Sequence, residues 1–323
     1  MYRVFDCSNS SSRPSNRGFG GPVMNEFVEL MHKYASAYGF EFVDSADDAD
    51  VIFTNDVFPP HVQNLDIPLV KRMDGIFWQS DLVQRNNAYI EAALMADMVI
   101  FITEYSKKCF ETLYNKEFHQ LKDYAVSTHW TDPTGLPKVD VSNIQIPSIF
   151  VAMATNWNRP EKRMNELIRF ASTHNVVIRL IGTSDGIELP PNIIPYGYLT
   201  STDDITNVFS QSHAFINLTC KDAATKTVCT AINYGLPVLY AGSGGVSELV
   251  KEYGLGIEEN NTIEVLDYIP QLDEVHSGYM KFVGKYAEYK RNLAALNPTE
   301  LMHNSLKAYF SHMKSKIETT ISD

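Results

Sequence analysis

Short apolar runs alternate with amphipathic stretches along most of the chain, which predicts strands separated by helices. Residues 2–6 read as a strand, followed by a Ser-, Asn-, Arg- and Gly-rich loop to Gly21. In 22–38, Val23, Phe27, Leu30, Met31 and Tyr34 recur at helical spacing, with Pro22 in the favoured first turn. Further strands are predicted at 40–43, 51–54, 69–71, 98–102 and 124–127, with helices at 87–96 and 104–114. Residues 132–147 carry Pro133, Pro137 and Pro147 with little periodicity and read as a linker. The rhythm then restarts, with strands at 148–154, 176–181, 193–196, 214–218 and 237–240. Helices are predicted between them at 162–174, 203–211, 226–234 and 246–253. From 273 to about 317 the pattern is helical throughout, broken at Asn297-Pro298. In that tail Met280, Phe282 and Tyr286 mark core contact, while Lys285, Lys290 and Arg291 read as a solvated face. Two runs of βαβ units imply two parallel sheets and two αβα halves, with a cleft expected between them at the strands' carboxyl ends.

Composition narrows the function classes. A chain of 323 residues suggests about two domains of ordinary size. With 44% hydrophobic and 20% charged residues, it is too apolar for a disordered chain. The net charge of −12 argues against nucleic acid or anionic lipid as partner, since both demand a basic face. Cys7, Cys109, Cys220 and Cys229 are scattered, with no metal-ligand spacing, which fits a reducing cytoplasm. No apolar run reaches the roughly 18 residues of a spanning helix, so no transmembrane segment is expected.

Candidate chemistry gathers at strand ends. Gly242-Ser243-Gly244-Gly245 opens a helix, where amides can point at a ligand and backbone can approach it closely. The alternative is a tight connection that binds nothing. Arg159, Lys162 and Arg163 lie within five residues beside a helix start, which stands out in an acidic protein. Here the alternative is a solvated first turn. Asp74 precedes Gly75 at a strand end, again with a plain turn as the alternative. Gly18 and Gly20, with Asp44 at the end of the second strand, make a poor dinucleotide fingerprint, because its sixth position is Val23. Asp47-Asp48-Ala49-Asp50 reads as a solvated acidic turn, and Glu104 as a helix cap. His129 reads as structural although it lies near the linker, and Trp157 either stacks on a ligand or packs.

Several of these motifs, in consistent order over roughly 17–250, resemble the retaining nucleotide-sugar glycosyltransferases of family 4. Gly235-Leu236-Pro237-Val238 and Gly244-Gly245-Val246-Ser247-Glu248 match that family's pattern closely. The family's Glu-x7-Glu motif falls on Asp222 and Thr230, a mild and a real departure respectively. Arg159 and Lys162 resemble the basic pair, Gly20-Gly21 the Gly-Gly loop after the first strand, and Arg72-Met73-Asp74-Gly75 a segment of some members.

The resemblance implies a GT-B fold whose last helix crosses back to the N-terminal domain. The expected domains are 1–135 on the acceptor side, 136–300 for the nucleotide sugar, and 301–323 as that helix. It also implies sugar transfer, with retention, from a UDP- or GDP-sugar to a hydroxyl of a glycan, glycoprotein or small molecule. Neither metal nor separate cofactor is expected, and the two domains are expected to close over the substrates. Asp222, Arg159, Lys162 and Asp74 would be catalytic; Gly20, Gly21, Gly182, Thr230, Gly244 and Gly245 would bind the donor. Rival readings are an NAD(P)-dependent oxidoreductase using Gly18, Gly20 and Asp44, a sugar-nucleotide epimerase, and a catalytically lapsed sugar-nucleotide-binding module.

Overall fold

Each run of βαβ units closes into its own sheet. The computed structural model describes residues 1–8, 22–76, 83–224, 226–240, 243–256, 269 and 271–322, excepting the side chains of 22–26. Gly18, Gly20, Gly21 and Gly242 lie outside the described residues. The chain divides into two compact units, 1–131 with 300–323, and 132–299.

The first unit runs β1 (Tyr2–Asp6), α1 (Pro22–Tyr34), β2 (Phe40–Val43), β3 (Val51–Thr54), β4 (Leu69–Met73) and α2 (Arg85–Met95). It continues with β5 (Met98–Phe101), α3 (Glu104–Leu113), α4 (Asn115–Phe118) and β6 (Tyr124–Val126). Its strands lie in the order β2-β1-β3-β4-β5-β6, every pair parallel. Both faces of β3, β4 and β5 are buried, as a sheet covered by helices on both sides requires.

The second unit runs β7 (Ile149–Asn156), α5 (Met164–His174), β8 (Val177–Thr183), β9 (Ile193–Gly197), α6 (Thr202–Ser210) and β10 (Ala214–Asn217). Then come α7 (Lys226–Asn233), β11 (Val238–Tyr240), α8 (Val246–Val250), β12 (Gly254–Gly256) and α9 (Leu272–Ala295). Here the order is β12-β11-β10-β7-β8-β9, also parallel. The edge strand β12 escapes a pattern reading because Gly254-Leu255-Gly256 offers one apolar side chain between two glycines.

The helical tail divides at the predicted break. In α9, Val275, Tyr279, Phe282, Tyr286, Tyr289 and Leu293 form one buried stripe at intervals of three and four. Each such side chain contributes about 1.5–3 kcal/mol by leaving water. Met280 does not belong to that stripe: it is 64% exposed, because its position points a quarter-turn away from Tyr279. Nor is Lys290 merely solvated, since its ammonium donates to the carbonyls of Val141, Ser142 and Ile144. The final helix, α10 (Pro298–Ser322), packs on the first unit. There Tyr309 donates to the Ser127 carbonyl and Ser305 to that of Thr128, at 2.9 and 2.6 Å. Phe310 stacks on Tyr38 with centroids 5.2 Å apart. No helix among the described residues is long and apolar enough to cross a membrane.

Candidate functional site

In the second unit the chain crosses outward from β7 in one direction and from β10 in the other. The carboxyl ends of these two adjacent strands therefore flank a switch point, where open α/β sheets form a ligand crevice. Two loops rise from it, 157–163 after β7 and 218–224 after β10. Asn156 accepts from the Asn158 amide at 2.9 Å and starts the first loop with a side-chain turn. Pro160 opens a 3-10 turn over Pro160–Lys162, and Arg163 follows in the left-handed region at φ 54°. Helix α5 therefore starts at Met164 and not at 162.

That backbone sorts the three cations. Lys162 reaches Asp222 across the crevice, Nζ to Oδ2 3.5 Å, with side chains 14% and 23% exposed. Arg159 is 43% exposed at its side chain and pairs with the adjacent Glu161. Arg163 turns inward and is 7% exposed, beside the Cys220 thiol, whose pKa burial pushes up. The Glu161 carbonyl accepts from the Cys220 amide at 3.0 Å, tying the two loops together. An ammonium beside a carboxylate suits a ligand carrying an anionic group next to hydroxyls: the cation takes the anion and the carboxylate accepts the hydroxyls.

Helix α7 begins just beyond. The Thr230 hydroxyl donates to the Lys226 carbonyl one turn back, at 3.1 Å, leaving its oxygen lone pairs as the group a ligand hydroxyl can use. Two amides of the glycine turn are engaged within the protein. The Gly245 amide donates to the Asp222 carbonyl at 2.9 Å, and the Ser243 amide to the Thr219 carbonyl at 3.2 Å. Gly244 has φ 127°, and a β-carbon there would stand 2.0 Å from the Asp222 carbonyl oxygen. Its missing side chain admits the backbone of the neighbouring loop. Gly182, at φ 120°, is similar: a β-carbon would fall 1.7 Å from the Ala154 carbonyl oxygen. Trp157 packs beside it, 6% exposed, its indole donating to the Ile181 carbonyl at 2.9 Å.

The first unit also gathers buried polar side chains at its carboxyl edge, among them Thr54, Lys71, Arg72, Ser127 and His129. Arg72 is fully buried and pairs with Asp74 at 2.9 Å. It also contacts His129 Nδ1 at 3.3 Å and lies 5.0 Å over the Phe27 ring. Lys71 donates to the Asp56 carbonyl, and burial lowers its pKa to about 8. Alternation along the strand would expose one of Lys71 and Arg72, but a strand covered on both faces buries both. Asp74 therefore stands on a buried guanidinium and keeps its side chain 34% exposed. Of the remaining candidates, Asp44 is exposed at the end of β2, and Asp50 binds Arg3 at 2.9 Å, which lowers its pKa. Glu104 pairs with Lys107 in the first turn of α3, whose cap is Thr103 with Ser106. Among the described residues, no group of three or more His, Cys, Asp or Glu side chains could hold a metal ion.

Neither a protein-family model nor any curated protein sequence matches this chain. Solved structures do. The sucrose-phosphate synthase of Thermosynechococcus elongatus is similar at TM-score 0.61 and 15% identity, over 92% of this chain and 77% of that one. Anabaena Alr3699/HepE in complex with UDP matches at TM-score 0.61 and 14% identity, over 100% of both chains. WaaG, a glycosyltransferase involved in lipopolysaccharide biosynthesis, matches at 0.55 and 13%, over 95% of this chain and 99% of that one. The fold is thus the GT-B type of glycosyltransferases, as the resemblance implied.

Proposed function

We propose that this chain is a retaining glycosyltransferase, similar to family 4, that moves a sugar from a nucleoside-diphosphate donor to a hydroxyl acceptor. The observation that carries the reading is the Lys162–Asp222 pair at the switch point of the second unit. It is supported by a fold shared with proteins such as HepE, whose structure holds UDP. In this reading Lys162, with Arg159, neutralises the leaving diphosphate, and Asp222 accepts the hydroxyls of the donor sugar. Thr230 accepts a ribose hydroxyl, a weaker hold than a carboxylate gives. Asp74 orients the acceptor, and Gly20 and Gly21 bring backbone to the phosphates.

The bond from the anomeric carbon to the diphosphate breaks, and the acceptor oxygen bonds to the same face. The acceptor proton passes to a departing phosphate oxygen. The protein supplies orientation and charge stabilisation in place of a nucleophile, without a metal at the chemical step. The donor is a UDP- or GDP-sugar, hexose or pentose, and the setting is the cytoplasm.

The loss of the second motif carboxylate at Thr230 favours one other reading, a module that binds sugar nucleotides without turnover. A thermal-shift panel of nucleoside diphosphates and their sugars tests the proposal. Specific binding raises the melting temperature by mass action, about 2.7 kcal/mol of stabilisation at a ligand concentration of 100 Kd. One base is expected to stand out, and its sugar nucleotides then serve in a transfer assay. A panel with no shift for any diphosphate overturns the reading. A shift without transfer to any acceptor, or to water, selects the binding module.

A further inference from the structure

The turn at Ser243–Gly245 fastens the segment that carries Asp222. The Asp222 amide donates to the Ser243 carbonyl at 3.2 Å, and the Gly245 amide returns a bond to the Asp222 carbonyl at 2.9 Å. Asp222 and Gly244 thereby form an isolated parallel bridge beyond the ends of the named strands. One residue earlier, Lys221 occupies the left-handed region at φ 58°, a conformation that a β-carbon disfavours. Its amide donates to the Ser243 hydroxyl oxygen at 3.1 Å. Ser243 is 1% exposed, so no solvent molecule stands ready to replace that acceptor. The Cys220 thiol nearby donates to the Leu218 carbonyl at 3.7 Å.

We infer that Ser243 is a positioning residue for Asp222. Its hydroxyl holds Lys221 in the left-handed conformation, and that backbone turn sets the direction in which the Asp222 carboxylate leaves the loop, toward Lys162. This rests on the reading above, in which Asp222 meets the donor sugar. It assigns Ser243 a role in orientation and none in gripping phosphate, because its amide, its carbonyl and its hydroxyl are all engaged within the protein. A displaced Asp222 harms the aligned transition state more than it harms the nucleotide, which other groups hold.

The test compares Ser243→Ala, Ser243→Cys and the double variant Ser243→Ala/Lys221→Gly with wild type. Each is measured for UDP and GDP affinity by calorimetry and for steady-state transfer from the matching nucleotide sugar. Ser243→Ala is expected to lower kcat about 10²-fold, the scale of a misplaced catalytic group. Its affinity for the nucleoside diphosphate should stay within about twofold, since the interaction lost belongs to the transition state. Ser243→Cys, which keeps the volume and a weak acceptor, is expected to fall between. The added Lys221→Gly is expected to recover kcat about tenfold or more, because glycine takes a positive φ without the hydroxyl's help. A Ser243 with only a structural role would not be rescued this way.

A kcat unchanged in Ser243→Ala overturns the inference, as does a double variant no faster than Ser243→Ala. Loss of diphosphate affinity in step with kcat overturns it as well. If Ser243→Ala does not fold, a folded Ser243→Cys with full turnover has the same force. Those results leave an active wild type and the proposed function standing. A wild type that neither binds nor transfers any nucleotide sugar fails the functional reading, and this inference with it.

Discussion

Lys162 and Arg159 look equivalent in the sequence, but their environments differ. Lys162 is largely covered and faces Asp222, whereas Arg159 is half in solvent and paired with Glu161. Lys162→Ala is therefore expected to lower kcat/KM by about 10²–10³-fold, the scale of removing one charge-stabilising group. Arg159→Ala should cost about tenfold, because solvent screens an exposed cation. Steady-state kinetics with the nucleotide sugar selected by thermal shift decide the ranking, and a greater loss for Arg159→Ala would reverse it. The residue types were legible in Asn156–Arg163 because cations stand out in an acidic chain. The inward turn of Arg163 was not, since no pattern of residues announces a left-handed arginine. Arg72 stood out only as part of a family-like segment, and its burial was not legible, because a strand covered on both faces hides a charge.

At the scale of elements, the strands and helices of both sheets other than β12 and the short α4 were legible to within a few residues, because apolar runs in parallel sheets are continuous. The contacts between loops were not, because they run through backbone. Gly182 illustrates this. Its position at a strand end matches a ligand-binding glycine, while its structure admits the Ala154 carbonyl and the Trp157 indole between β7 and β8. Gly182→Ala combines an unfavourable φ with a carbonyl clash, so a destabilisation of about 3 kcal/mol or more is expected. Urea unfolding measures it. A loss under about 1 kcal/mol would show that β7 and β8 can part without consequence. Thr230 is the reverse case: its departure from the Glu-x7-Glu spacing is plain in sequence, and only the structure shows its proton engaged by Lys226.

At the scale of the whole molecule, three histidines couple stability to pH. Burial lowers the pKa of His213, helped by Arg179, and of His174, helped by His276. Burial lowers that of His312 too, against the opposing pull of Asp123. In each case the unfolded imidazole binds its proton at higher pH than the folded one. Their contribution to stability is therefore complete above the ordinary imidazole range and is lost as pH falls below about 6.5. The melting temperature is expected to fall between pH 7.5 and 5.5, and His213→Gln to make that fall shallower. A melting temperature that is flat or rises on acidification counts against these assignments.

The chain path through the two units bears on how the protein is made. The first unit takes residues 1–131 and then α10, with the whole of 132–299 between them. On a ribosome adding about 5–20 residues per second, that interval lasts roughly 10–30 s. Through it the partners of Tyr309 and Phe310 wait without their helix, with Phe27, Tyr38 and Phe40 uncovered. The second unit, continuous in sequence, has all its residues first. The second unit is thus expected to complete before the first, and chaperones that shield nascent apolar surface would find their longest-lived target in the segment that waits for α10.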